Sequence, residues 1–182
     1  MNEKEKKAAS KFMSLILRHD PQKINIILDQ NGWADTNALI EGMNRTGRNI
    51  TFECLKEIVT TNNKQRFKFN DDHTKIRANQ GHSIDVDVEL RETEPPAVLY
   101  HGTATKFIKA IRNDGLISKN RLHVHLSSDE ETAANVGGRH GKAVVLTIDS
   151  AGMYKNGFKF YLSDNNVWLT KVVPAKFIWQ FR

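Results

Sequence analysis

The chain is poor in cysteine: Cys54 is the only one in 182 residues. A single thiol excludes an internal disulfide and any cysteine-based zinc cluster, and its place in an apolar helical pattern reads as core. No run of about 18 apolar residues is available to span a bilayer. Met1 to Lys7 is charged where a secretory leader would turn apolar, so a cytoplasmic protein with no membrane partner is expected. Basic tails, internal repeats and low-complexity tracts are absent. The formal charge of +6 is spread over both halves, which permits a nucleic-acid partner without requiring one. A dinucleotide fingerprint is also missing: Gly137, Gly138 and Gly141 fall between a helical and a strand pattern, whereas that motif runs strand, glycines, helix.

What is present is a core-forming chain, 39% apolar, with regular patterning. Ala9, Phe12, Met13, Ile16 and Leu17 mark one helical face, and Asp20-Pro21 ends it near Arg18-His19. Thr36 is the expected N-cap of a second helix closed by Gly47, and Thr51 opens a third. Phe67 and Phe69 alternate into an Asn70-Asp71-Asp72 turn and Ile76 and Ala78 resume, which predicts a hairpin. Three short helices followed by a hairpin make a winged-helix pattern over residues 1–80, whose usual business is nucleic acid. Residues 81–96 read as a connector and edge: Ile84 to Leu90 alternate as a strand with Asp85, Asp87 and Glu89 facing water, and Pro95-Pro96 cannot continue a central strand.

Over residues 97–182 the spacing predicts an α+β domain. Val98 to Tyr100 is a strand, Thr103 or Thr105 caps a helix ended by Gly115, and Leu122 to Leu126 is a strand. A helix follows Ser128 and ends at Gly137-Gly138. Ala143 to Ile148, Phe158 to Leu162 and Val167 to Thr170 are further strands.

Chemistry is expected here first. His101 stands at a strand end before Gly102 and Thr103, where a ring and main-chain amides face one ligand and a glycine permits close approach. His123 and His125 lie two apart on a strand, but no third ligand is near and no metal is expected. Arg139, beside the glycines, is able to reach a pyrophosphate. In the first half Arg18-His19, Arg66 and the stretch from Arg77 to Ser83 sit at structural corners, where arginine forks grip phosphate oxygens if they converge.

Taken together, Ser10-Lys11-Phe12 with Leu17-Arg18-His19, Gly32-Trp33, Gln65-Arg66-Phe67, Ile76-Arg77-Ala78-Asn79-Gln80-Gly81-His82-Ser83, Leu99-Tyr100-His101-Gly102-Thr103, Gly115-Leu116, Arg121-Leu122-His123-Val124-His125-Leu126-Ser127, Gly141 and Val167-Trp168-Leu169-Thr170 resemble the RNA 2'-phosphotransferase family. The resemblance runs in order over nearly the whole chain. It implies a winged-helix N-terminal lobe and an ADP-ribosyltransferase-like C-terminal lobe that binds NAD. It implies attack of an internal RNA 2'-phosphate, as left at a tRNA splice junction, on the nicotinamide ribose. Transesterification of the ADP-ribosylated RNA then yields an RNA 2'-hydroxyl and ADP-ribose 1'',2''-cyclic phosphate.

The family's essential Arg-His-Arg-Arg set falls on Arg18, His19, Arg66 and Arg121, with the arginines on phosphate and His19 on phosphate contact or proton transfer. Cofactor contacts fall on His101, Gly102, Thr103, His125 and Ser127, with Arg139 and Gly141 helping. Val167 stands where many ADP-ribosyltransferases carry a glutamate, an absence that suits an acceptor bearing its own charge. His82 and Ser83 are candidates for substrate binding, with His82 alternatively organising the lobe junction. NAD is the expected co-substrate, an RNA with an internal 2'-phosphate the expected partner, and a monomer the expected state. Two rival readings are a ligand-sensing winged-helix regulator and an ADP-ribosyltransferase that stops after its first step.

Overall fold

Helix α1 (Glu3–Arg18) begins with a reciprocal cap, in which Asn2 Oδ1 accepts from Glu5 N and Glu5 Oε2 accepts from Asn2 N, each at 2.9 Å. Its buried residues Ala9, Met13, Ile16 and Leu17 keep the helical spacing that put them on one face in the sequence. In the computed structural model of the chain, residues 1–62 and 64–181 are described. They fall into two units, Met1–Glu89 and Leu90–Arg182, each with its own apolar core. No helix among the described residues is long and apolar enough to cross a membrane. The chain is mixed α and β with small sheets, as the α+β expectation has it.

In the first unit, strand β1 (Ala34–Asp35) leads into α2 (Thr36–Arg45), and α3 (Phe52–Thr60) precedes the hairpin of β2 (Phe67–Phe69) and β3 (Lys75–Ala78). The sheet order is β1-β3-β2, all antiparallel. Thr51 caps α3 as expected, accepting from Cys54 N at 3.2 Å. The cap of α2 is Asp35 and not Thr36: Asp35 Oδ1 accepts from Ala38 N at 2.8 Å. Thr36 instead donates its hydroxyl to His73 O at 2.9 Å, tying α2 to the hairpin turn.

Ile84 to Leu90 forms no strand. At Asp87 its backbone is answered by a turn near Gly32, with Asp87 N donating to Gln30 O and Asn31 Nδ2 to Asp87 O, each at 2.9 Å. The alternation still reports facing, since a Cβ on Gly32 would meet Val86 and Val88 at 3.6 Å. Apolar sidedness was legible, but a ladder needs a partner strand that this segment lacks. Glu89 is not merely solvated: it pairs with Arg77 Nη1 at 3.0 Å, and that guanidinium lies over Trp33 at 4.5 Å.

The second unit is organised by β4 (Val98–Ala104). A 3-10 turn, α4 (Ile108–Asp114), β5 (Leu116–Ile117), β6 (Val124–Leu126) and α5 (Glu130–Gly137) follow. Next come β7 (Ala143–Asp149), α6 (Ser150–Lys155), β8 (Phe160–Leu162), β9 (Trp168–Thr170), β10 (Val172–Val173) and β11 (Ile178–Phe181). The sheets run β11-β7-β4 and β6-β9-β8, with β10 paired to β5. Strand β4 is in register with β7 from Val98 opposite Asp149 to Ala104 opposite Ala143. That ladder carries Thr103 inside the strand, 6% exposed, so neither Thr103 nor Thr105 caps α4, which starts without a side-chain cap. Helix α6 was not foreseen; Asp149 caps it, accepting from Gly152 N at 2.8 Å.

Candidate active site

Arg18 is the last residue of α1 and His19 its C-cap. The stop that Asp20-Pro21 imposes therefore puts both side chains at a helix end, where the negative end of the helix dipole favours cations. A distant segment meets them there. Ser83 N donates to Arg18 O at 3.0 Å, and Ser83 Oγ lies 2.9 Å from His19 Nδ1 across 64 residues of sequence. Arg18 holds its Nε and Nη2 out of solvent.

His82 is buried beside them, 2% exposed. Burial first, then the charges of Arg18, His19 and Arg77, hold its pKa down to about 4, so the ring is neutral at physiological pH. Its Nε2 meets no hydrogen-bond partner among the described residues. Of the two residues expected to bind substrate, Ser83 is exposed and His82 is enclosed.

Arg66 reaches the same helix by another route. The backbone turns at Gln65, φ 40°, whose N–H donates to Asn62 O at 2.7 Å. Asn62 Oδ1 accepts from Arg66 Nη1 and Asn62 Nδ2 donates to Ser10 Oγ, both at 3.2 Å. Ser10 lies about 12 Å before Arg18 along the α1 axis at the rise of an α-helix. Hairpin register pairs Phe67 with Ala78 and so sets Asn79 opposite Arg66. Asn79 N donates to Arg66 O at 2.9 Å and Asn79 Nδ2 to Gln65 O at 2.6 Å. Neither Asn62 nor Asn79 carries a role in the sequence reading; counting residues outward on both sides of the hairpin turn is the signal that finds Asn79.

In the second unit, His101 Nδ1 lies 2.9 Å from His125 O. A carbonyl only accepts, so Nδ1 carries the proton. Burial holds the ring's pKa below its ordinary value, against the raising effect of that bond, and the neutral ring keeps an acceptor lone pair on Nε2. This suits a hydroxyl donor such as a ribose. Next along β4, the direction a side chain would take from Gly102 is filled by helix α5, with Ala133 O at 1.6 Å and Gly137 N at 2.8 Å. The glycine is thus required for close packing of α5 on β4, a reason other than the ligand approach read from the sequence.

Ser127 pairs with Tyr100 through both backbone bonds at 2.8 Å, and its Oγ accepts from Asp129 N at 3.1 Å. The backbone of His125 stands opposite Leu169. Arg139 is exposed in the turn Gly138–His140. Gly141, φ 137°, follows it, with its Cβ position 3.6 Å from that of Ala104 at the end of β4. Hence His101, Thr103 and the 139–141 turn all belong to one strand and its margin. Val167 closes the turn between β8 and β9, its carbonyl accepting from Ser163 N at 3.0 Å. Arg121 is exposed in a turn before β6, its N–H donating to Ser118 O at 3.1 Å. His123 packs edge-on against Tyr161 at 5.7 Å; burial, then Lys171, lowers its pKa to about 4. Among the described residues, no group of three or more His, Cys, Asp or Glu is arranged to hold a metal.

These two groups of residues lie in a chain whose relatives share one description. The model of the RNA 2'-phosphotransferase, Tpt1 / KptA family matches residues 4–172. A protein of Flavobacterium johnsoniae called "Probable RNA 2'-phosphotransferase" is 55% identical over 178 residues, covering 98% of each chain. One of Fusobacterium nucleatum with the same name is 57% identical over 169 residues, covering 92% of this chain and 94% of the relative. A third, of Hahella chejuensis, is 52% identical over 176 residues, covering 97% and 95%. The chain belongs to the RNA 2'-phosphotransferase family, a family of transferases acting on RNA.

Proposed function

We propose that this protein removes an internal 2'-phosphate from RNA at the expense of NAD. The observation that carries the reading is that Ser83 holds Arg18 and His19 at the end of α1 while Asn62, itself bonded to Ser10 of that helix, holds Arg66, in a chain of this family. NAD supplies an electrophilic nicotinamide-ribose carbon, nicotinamide as leaving group, and a ribose hydroxyl that takes the phosphoryl group from the ADP-ribosylated RNA.

The chain's own side chains do the rest. Because the RNA phosphate is already an anion, the first step calls for orientation more than for a base. Arg18 and Arg66 grip its oxygens, and the bonds that hold the Arg18 backbone and the Arg66 guanidinium reduce the entropy lost on binding. His19 contacts the phosphate or moves a proton. Negative charge accumulates on the phosphoryl oxygens in the second step, and the fork of Arg121 is assigned to its stabilisation. His101, with Nδ1 protonated, accepts from a ribose hydroxyl through Nε2. Thr103, His125, Ser127, Arg139, Gly141 and Val167 complete the cofactor contacts, and Gly102 keeps β4 seated beneath α5.

In this reading the first unit is a winged-helix module that binds RNA. Its helices and β1-β3-β2 sheet support that assignment. The second is an ADP-ribosyltransferase-like lobe, the protein is cytoplasmic, and a spliced tRNA is the type of substrate. The test is incubation with NAD and a short RNA carrying an internal 2'-phosphate, following nicotinamide and the 2'-phosphate together. Loss of the phosphate with nicotinamide release is expected. Nicotinamide release with an RNA that stays ADP-ribosylated points to a simple ADP-ribosyltransferase, and no turnover sinks both.

A further inference from the structure

Ser83 lies outside the four residues assigned to catalysis, yet it touches two of them. Its N–H holds the carbonyl of Arg18 at 3.0 Å and its Oγ stands 2.9 Å from His19 Nδ1. The residue before it, His82, is 2% exposed, so the segment is anchored on its N-terminal side by a buried ring. The hydroxyl is therefore fixed relative to the last turn of α1 and does not depend on the exposed side of the protein for its position.

We propose that Ser83 is the positioning residue of His19, holding Nδ1 so that Nε2 is the ring atom offered to the RNA phosphate. This rests on the reading that His19 works on that phosphate. An imidazole at a helix end can turn about its side-chain bonds and present either nitrogen. A partner on Nδ1 selects one presentation and sets the second nitrogen's direction. Serine fits the task because its hydroxyl both donates and accepts. When the ring is neutral with its proton on Nε2, Ser83 donates to Nδ1; when the ring is cationic, Nδ1–H donates to Ser83 Oγ. The ring therefore need not reorient as it gains or loses a proton. A carboxylate in that place would only accept and would bias the ring toward the charged form. The same two contacts join His19 to Arg18, so the segment that aims the imidazole also steadies the backbone that carries the first arginine.

The test uses the full chain with Ser83→Ala and Ser83→Thr, measured in two ways. In single-turnover and steady-state assays with the 2'-phosphorylated RNA and NAD, S83A is expected to lower kcat about tenfold, the scale of one hydrogen bond, with KM within about twofold. S83T, which keeps the hydroxyl, restores most of the loss. In the RNA-free protein, nitrogen NMR of the histidines is expected to show the His19 Nδ1 resonance moving in S83A and returning in S83T. Unchanged His19 resonances in S83A overturn the proposal, as does a wild-type kcat in S83A when the wild-type protein is active. If the wild-type protein removes no 2'-phosphate, the functional reading fails, and the NMR measurement alone decides whether Ser83 holds His19.

Discussion

The two units hold their candidate residues by different means. In the first, the side chains hang on the ends of elements and other side chains fix them: Ser83 on His19, Asn62 on Arg66, Asn79 on the Gln65-Arg66 backbone. In the second, His101 rides inside a strand and a main-chain carbonyl fixes it, while Gly102 seats a helix against the same strand. Flexible cationic side chains need several polar tethers because their long stems are otherwise free to turn. A ring on a seven-residue ladder needs one, since the backbone is already placed by its neighbours. Removing one tether should therefore free a side chain in the first unit, whereas in the second a change must disturb the backbone to move the ring.

The largest effect expected on the tethered side is from Arg18→Ala or Arg66→Ala, which should lower single-turnover rates by about a hundredfold to a thousandfold, the scale of losing a charge stabiliser in a transition state. Thermal unfolding midpoints should stay near wild type. A near-normal rate in either variant breaks the picture of anchored phosphate ligands. On the backbone side the sharpest change is Gly102→Ala, whose Cβ would lie 1.6 Å from Ala133 O. A backbone atom has little room to move away, so stability should fall by about 3 kcal/mol or more. Denaturant unfolding checks this, and a wild-type midpoint would show that α5 moves freely on β4.

His82 offers a comparison by pH. Its native pKa of about 4 is below that of the unfolded chain, about 6.5, so the unfolded state binds more protons between those values. Stability is thus held above pH 6.5 and lost as pH falls toward 4, with a difference of about 2 kcal/mol between pH 7 and pH 5 from this group. His82→Leu should flatten that part of the profile in equilibrium unfolding; an unchanged slope would mean that the buried ring does not supply it. The smallest effect is expected from Asn79→Ala, which removes the clamp on Gln65 O and should cost about tenfold in kcat. Equal losses in kcat and in stability would recast Asn79 as a purely structural residue.

Much of this was legible in the chain because it is local. The stripe of α1, its stop at Asp20-Pro21, the Thr51 cap and the Phe67 to Ala78 hairpin each depend on residues a few positions apart, and each is as expected. Where the expectation failed, a distant partner had intervened. Thr36 looked like a cap but spends its hydroxyl on His73, and Asp35 beside it had the better geometry. Ile84 to Leu90 alternates like a strand, yet the Gly32 turn, more than fifty residues earlier, takes up the Asp87 backbone and no ladder forms. The 103–105 threonines were expected to open a helix, but the long pairing of β4 with β7 held Thr103 in the strand.

The sequence by itself determined that this chain has helices, a hairpin and a second α+β half, and it carried the motifs that mark its family. Spacing, caps and turn residues act over a few bonds, and a motif is a string. Only the tertiary structure decided that Ser83 meets His19, that Asn62 links Arg66 to Ser10 of α1 and that Gly102 serves the packing of α5. Such encounters depend on how separate segments come to lie side by side, and no local preference specifies the partner. The lone cysteine shows the same division: its scarcity ruled out disulfides from the sequence, whereas its half-buried place on α3 beside the first unit's core came from packing.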